Sequence, residues 1–240
     1  MTQPVGGWIR WPGYLAWAFL TMLLVSIIVV RSGAWKEGLM MYALSGLLSL
    51  MLLATMAVQS LLPRWREDRS AIFRRAIPAI PAAALLLMAM TSREVPPIHD
   101  ISTDVVDPPT FETAVGLRGD SSNPLDIKPE VIEQQVEAYP DLKTIRSPRS
   151  YASSYSLALT TAKSLGWEIT REDPNAGFIE AVDTTAIMQF KDDVVIRIRT
   201  NESGSLVDLR SISRVGVSDL GANAARISRF AEAFLEAASG

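Results

Sequence analysis

The sequence predicts an α+β protein: an N-terminal three-helix transmembrane anchor, then a two-layer domain in which an antiparallel β-meander is flanked by two helices. Three observations lead there. Two long uncharged runs and a shorter third fill the first ninety residues. A proline-rich stretch follows them, and from Ser147 onward helical and strand periods alternate between turn residues.

The first run, Tyr14 to Val30, is 17 residues long and the second, Leu39 to Leu62, is 24, both without a charge. A helix needs about 20 apolar residues to cross a bilayer core. Trp8, Trp11, Trp17, Trp35 and Trp65 lie in or beside these runs, as interfacial anchors do. The third run, Ala76 to Met90, is shorter, with Pro78 and Pro81 near its start, where a first helical turn tolerates proline. It is read as a third span; the other reading is a half-inserted or cleaved segment.

Arg64, Arg66, Arg69, Arg74 and Arg75 stand between the second and third runs, against Arg31 and Lys36 between the first two. The arginine-rich loop is expected in the cytoplasm. Three spans in the inner (plasma) membrane then put the N-terminus inside and residues 91–240 outside, in the periplasm of a Gram-negative cell. A third run that does not cross leaves that domain cytoplasmic. No charge lies inside any run, which argues against an ion or proton path. The runs read as an anchor, with Ala43, Ser45, Gly46 and Ser49 available for close helix packing.

There is no cysteine and a single histidine, so disulfides, thiol chemistry and cysteine- or multi-histidine metal sites are excluded. The net charge of −3 divides unevenly: residues 1–90 carry 8 basic and 3 acidic side chains, residues 91–240 carry 15 and 23. An acidic second part argues against a nucleic-acid partner. The partners expected are the bilayer and a membrane or periplasmic protein, with no cofactor.

Residues 91–146 form an expected extended wrap: 8 of the 14 prolines lie between 91 and 150. One short helix is expected at 129–138. Ile98, Ile101, Val105, Val106 and Phe111 are expected to pack on the domain rather than face water. In the core, residues 147–240, Ser147 is the expected N-cap of a helix with Pro148 at its first position and Tyr151, Tyr155, Leu159, Ala162 and Leu165 as its stripe. "WEIT" is a strand. "FIEAVDTT" with "AIMQF" reads as a second, bulged at 184–186, and "VVIRIRT" and "LVDLRSIS" complete the meander. A helix from about Leu220 to Ala238 closes it, with Leu220, Ala224, Ile227, Ala231 and Phe234 on one face. Register places Phe190 opposite Val194, Met188 opposite Ile196 and Arg197 opposite Asp208. The helices cover Val194, Ile196, Ile198, Val207 and Leu209. The other face shows Thr185, Gln189, Arg197, Arg199, Asp208 and Arg210.

The motifs "IHDISTD…DPPTF", "YPDL", "EAVDTT", "FKDDVVIRI" and "VDLRSISRVGVSDLGANAARI" resemble bacterial members of the domain-of-unknown-function family 1499, over roughly residues 98–235. The resemblance implies a shared domain, often in a membrane-linked setting. It implies no activity, so no catalytic residue is carried over.

Three places can carry chemistry. The loop "SRVGVSDLGANAARI" has the glycines and helix start of an anion loop, with Arg214, Asp219 and Asn223 as candidate binding residues. The competing reading makes Asp219 a helix cap, with Arg214 or Arg226 as its ion partner. His99 with Asp100, Asp104 and Asp107 offers metal ligands, and with Ser102 and Thr103 a hydrolase. As catalytic candidates His99, Asp100 and Asp104 are weak, and hydrogen-bonded scaffolding competes with them. Arg197, Arg199 and Arg210 around Asp208 suit a carboxylate, phosphate or lipid head group, against a solvated face with a cross-strand ion pair. The leading functional reading is a non-enzymatic, membrane-anchored binding or scaffolding module. A membrane-bound hydrolase or a lipid-handling domain is the alternative.

Overall fold

The computed structural model describes residues 7–91 and 95–239, which fall into two compact units, one of helices and one α+β. In the first, α1 (Gly7–Arg31) and α2 (Trp35–Leu61) are followed by α3 (Arg69–Ala76) and α4 (Ile80–Thr91). A 3-10 turn at Ile77–Ala79 joins α3 to α4. Pro81 has no N–H to return to the Ile77 carbonyl, and the Ile80 N–H takes it in a tighter bond. All three rods, the third running Arg69–Met90, are long and apolar enough to cross a membrane. The third starts well before its apolar run and carries Arg69, Arg74 and Arg75 in its first turns.

Small residues bring these helices together, as expected in lipid, where close backbone approach replaces a hydrophobic drive. Ser45, Gly46 and Ser49 are buried, whereas Ala43 is exposed. A Cβ at Gly46 would stand only 2.6 Å from the Leu86 Cβ, so nothing larger fits.

The second unit runs β1 (Asp100–Ser102), α5 (Thr113–Leu117), α6 (Pro129–Ala138), β2 (Ile145–Ser147), α7 (Tyr151–Ser164), β3 (Glu168–Asp173), β4 (Phe178–Thr184), β5 (Lys191–Asn201), β6 (Gly204–Ser213) and α8 (Ala222–Ser239). The sheet order is β1-β6-β5-β4-β3, with β2 also on β6 and every pairing antiparallel. Helices α7 and α8 lie on one face. There Tyr155, Ala158, Ile227, Phe230 and Phe234 fill the space against Ile179, Val194, Ile196, Val207 and Leu209. At about 25 cal/mol per Å² of apolar surface, this interlayer is the main stabilising term of the unit.

Arg197 pairs with Asp208, Ile196 with Leu209 and Ile198 with Val207, the register expected. The other half of the meander differs. Val194 pairs with Ala181 and Ile196 with Ile179, not with Phe190 and Met188. Strand β4 stops at Thr184, and the Thr185 N–H and Oγ1 close a loop on the Phe190 carbonyl and N–H. Ile179 and Ala181 already supply the apolar face, and Ile187 is left 59% exposed.

Other boundaries move for local reasons. Ser150, not Ser147, caps α7 by accepting the Ser153 N–H, because Ser147 is engaged in β2. The α7 stripe packs Tyr151, Tyr155, Leu159, Ala162 and Leu165 on the core as expected, and adds Ala158, which is wholly buried. Strand β3 extends past the expected "WEIT" to Asp173, with a bulge between Ile169 and Arg171. Leu220 is outside α8, exposed, with φ 54°.

The largest departure is the second sheet face, which is not solvated. The wrap covers it: Phe111, Ala114 and Leu125 pack on Phe178, Val195 and Ile212. Ile98, Ile101 and Phe111 are buried as expected, while Val106 is 91% exposed. Gln135 of α6 anchors the wrap like a strand neighbour: its amide accepts the Ser102 N–H at 2.9 Å and donates to the Ser102 carbonyl at 2.6 Å.

Candidate functional site

Covering the second face encloses the ionisable groups that alternate with apolar ones along β4, β5 and β6. Each arginine there finds a carboxylate of the chain, as burial of a guanidinium requires. Arg210 donates to Asp100 through Nε at 3.0 Å and Nη2 at 2.7 Å, and to the carbonyls of Pro109 and Leu125. The Phe111 ring covers the guanidinium at 5.2 Å.

Arg197 and Arg199 share three aspartates. Arg197 reaches Asp104 at 3.1 Å, Asp107 at 2.8 Å and Asp208 at 3.2 Å. Arg199 reaches Asp104 at 3.0 Å and Asp208 at 2.7 Å. Thr144 donates a further 2.6 Å bond to Asp208. Burial pushes the Asp104 carboxyl up, but the Asp107 N–H, Arg199, the Val106 N–H and Arg197 together hold it below its ordinary value. Burial likewise works against the Arg199 charge and is outweighed by Asp208 and Asp104, leaving the guanidinium raised. A ligand anion at this face would compete with three resident carboxylates.

Arg214 does not pair with Asp219. It joins Arg118 on Asp193, at 2.7 and 2.6 Å, and donates to the Leu117 carbonyl. Burial pulls Arg118 below its ordinary value against Asp193. Arg226 is also taken elsewhere: it lies on the helical face, bridging Asp183 at 2.6 Å and Asp192 at 2.5 Å, which oppose each other across β4 and β5. One arginine thus offsets a like-charged cross-strand pair.

Asp219 accepts the N–H groups of Gly221 at 2.8 Å and Asn223 at 2.7 Å at the start of α8. Burial raises its carboxyl above the ordinary value, and the two amides only partly counter it. Asn223 is wholly buried. It accepts from Ser211 Oγ and Arg226 Nη1 and donates to the His99 carbonyl and Ser213 Oγ. Asn223 is therefore a joint between α8, β6 and the wrap.

The three catalytic candidates are each tied to different partners. The His99 main chain is held by Asn223 and by the Ser213 N–H, Asp100 by Arg210, and Asp104 by Arg197 and Arg199. Among the described residues no group of three or more metal-ligating side chains forms.

Sequence reasoning missed Glu180, Asp193 and Arg118, and offered Arg226 to Asp219 where the structure gives it Asp183 and Asp192. Glu180 is 1% exposed and reaches from β4 to cap α5, accepting the N–H groups of Glu112, Thr113 and Ala114 at 2.9, 3.0 and 2.9 Å. The signal lay in the wrap itself: Phe111 and Leu125 needed a sheet face to lie on, and acids on that face then needed partners.

An apolar rim is exposed between the β6–α8 loop and α5. The loop between β6 and α8 exposes Val217 at 80% and Leu220 at 55%, and α5 exposes Val115 and Leu117. The Arg214–Leu117 bond ties the two segments, and Asn123 Nδ2 donates to the Gly216 carbonyl at 2.8 Å. Leu220 at φ 54° and Gly221 at φ 84° are consecutive left-handed residues. That conformation costs a side-chain-bearing residue about 1–2 kcal/mol.

A family model described as Protein of unknown function (DUF1499) matches residues 100–234. No curated relative matches the chain.

Proposed function

Because the chain belongs to the DUF1499 family, whose description gives no activity, we propose that it is a membrane-anchored binding module. Its three helices hold it in the inner (plasma) membrane with the N-terminus cytoplasmic. Its α+β domain is presented outside the cytoplasm and holds a membrane or periplasmic protein by the rim of Val217, Leu220 and Leu117. Support for the orientation is the run of five arginines from Arg64 to Arg75, which favours the cytoplasmic side.

The observation that carries the binding reading is Leu220. A leucine held at φ 54° and left 55% exposed contributes neither favourable backbone energy nor burial to the fold. Strain kept at an exposed apolar side chain points to a contact made with something else. Reporter fusion after Gly240 should be active only outside the cytoplasm. A photo-crosslinking side chain at position 217 should give one discrete adduct in intact membranes, lost with Leu220→Asp. A cytoplasmic reporter signal rejects the orientation, and crosslinking indifferent to Leu220→Asp rejects the rim.

A further inference from the structure

The helical unit contains a cleft of about 240 Å³ lined by Arg10, Gly13, Tyr14, Trp17, Arg74 and Arg75. Its geometry follows from Gly13: a Cβ there would lie 3.1 Å from Arg75 Cγ and Cδ, so the absent side chain lets the Arg75 stem cross α1. Among the described residues no carboxylate pairs with these guanidiniums. Arg74 Nε donates to the Ser70 carbonyl at 3.3 Å and Arg75 Nη1 to the Ala71 carbonyl at 3.2 Å, both one turn back on α3. Among the described residues no carboxylate lines the cleft. This contrasts with the α+β unit, where Arg197, Arg199, Arg210, Arg214 and Arg226 each meet an aspartate.

Three converging positive charges repel one another, and the repulsion grows where apolar surroundings lower the dielectric. An anion from outside relieves it. Guanidinium forks match phosphate oxygens in pairs, and Trp and Tyr belong at head-group depth. Basic pockets between membrane helices suit lipid phosphates. One and two turns beyond Arg74, Ile77 and Ile80 are 57% and 50% exposed, an apolar flank on which acyl chains can lie.

We propose that this cleft binds the phosphate head group of an anionic membrane lipid, held by Arg10, Arg74 and Arg75. The site is independent of the rim on the α+β unit. The test uses the full chain in nanodiscs of mixed phosphatidylglycerol and phosphatidylcholine, with retained lipid counted by native mass spectrometry. Phosphatidylglycerol should be retained selectively. Arg10→Gln/Arg74→Gln should lower its retention about tenfold, while Arg64→Gln/Arg66→Gln, which removes the same charge outside the lining, should not. Equal loss in both pairs, or loss in neither, overturns the cleft. Displacement of the lipid by millimolar inorganic phosphate overturns the lipid and leaves free phosphate as the ligand. Should the double variant fail to insert, Arg10→Gln alone decides the same way, because Arg10 is exposed and its removal leaves no buried gap.

Discussion

Asp100 grips Arg210 with both carboxylate oxygens, at 3.0 and 2.7 Å, and each side chain is at most 5% exposed. The pair pins the first strand of the wrap to the last strand of the meander. Removing one member leaves a buried charge uncompensated. Asp100→Ala should therefore cost about 3–5 kcal/mol. Asp100→Leu/Arg210→Met should recover more than half of that, since both charges leave together. Chemical denaturation of the full chain in detergent measures both. A double variant no more stable than the single one would show that the pair is not the source of the loss.

Asp219 should behave as a helix cap with an unfavourable charge. Asp219→Ala loses two acceptors and about 0.5–2 kcal/mol, and Asp219→Asn should lie between it and the wild type. The carboxyl is raised in the fold by burial. Its contribution is then complete below the ordinary aspartate pKa of about 3.9 and declines as pH rises through the folded value. The wild type should lead Asp219→Asn most at acid pH, with the gap narrowing toward neutrality. Melting temperatures across that range check the sign, and a gap that widens toward neutral pH refutes it.

Asp104 should show the opposite dependence. Its pKa is depressed by amide and arginine contacts that together outweigh burial. Its stabilisation is present above the ordinary aspartate range and disappears as pH falls through the lower folded value. Asp104→Asn should cost about 1–2 kcal/mol at pH 7 and progressively less below pH ~4. A pH-independent deficit would mean the carboxylate charge is irrelevant there.

Leu220→Gly separates stability from binding. Glycine adopts φ 54° without strain, so the variant should gain about 0.5–1 kcal/mol after its own entropy cost. It should lose the crosslink expected at position 217. Lower melting in Leu220→Gly would show that the leucine packs usefully in the fold.

The helical spans and the sheet's apolar face were legible because each has a one-sided or continuous hydrophobic pattern. Ile196, Ile198, Val207 and Leu209 alternate cleanly, and Arg197 opposite Asp208 fixed that hairpin. The β4–β5 register was misread because "AIMQF" is as apolar as "FIEAV", and only the Thr185–Phe190 closure tells them apart. The charged face was misread for a different reason. Strand alternation says which residues are opposite the core, but not whether water or another segment covers them. At Glu180, Asp193 and Arg210 the cover comes from residues 109–125, up to a hundred positions away in sequence. Locally, a buried salt bridge and a solvated one look alike.

The two flanks of the sheet are protected from strangers by different means. On one side β3 carries Glu168, Arg171, Glu172 and Asp173 and a bulge, which discourage a foreign strand from pairing. On the other, β2 and β1 pair with the two ends of β6, Thr103 holds Leu209 between them, and the Gln135 amide occupies the groups of Ser102. All of that shielding comes from residues before 148. A chain shortened to begin at Pro148 would keep the meander and both long helices, yet open the whole length of β6 as a template and strip Arg197 and Arg210 of Asp104, Asp107 and Asp100. Such a fragment should self-associate through β6 rather than stay monomeric, so the proline-rich stretch acts as an aggregation guard that cannot be detached from the domain it wraps.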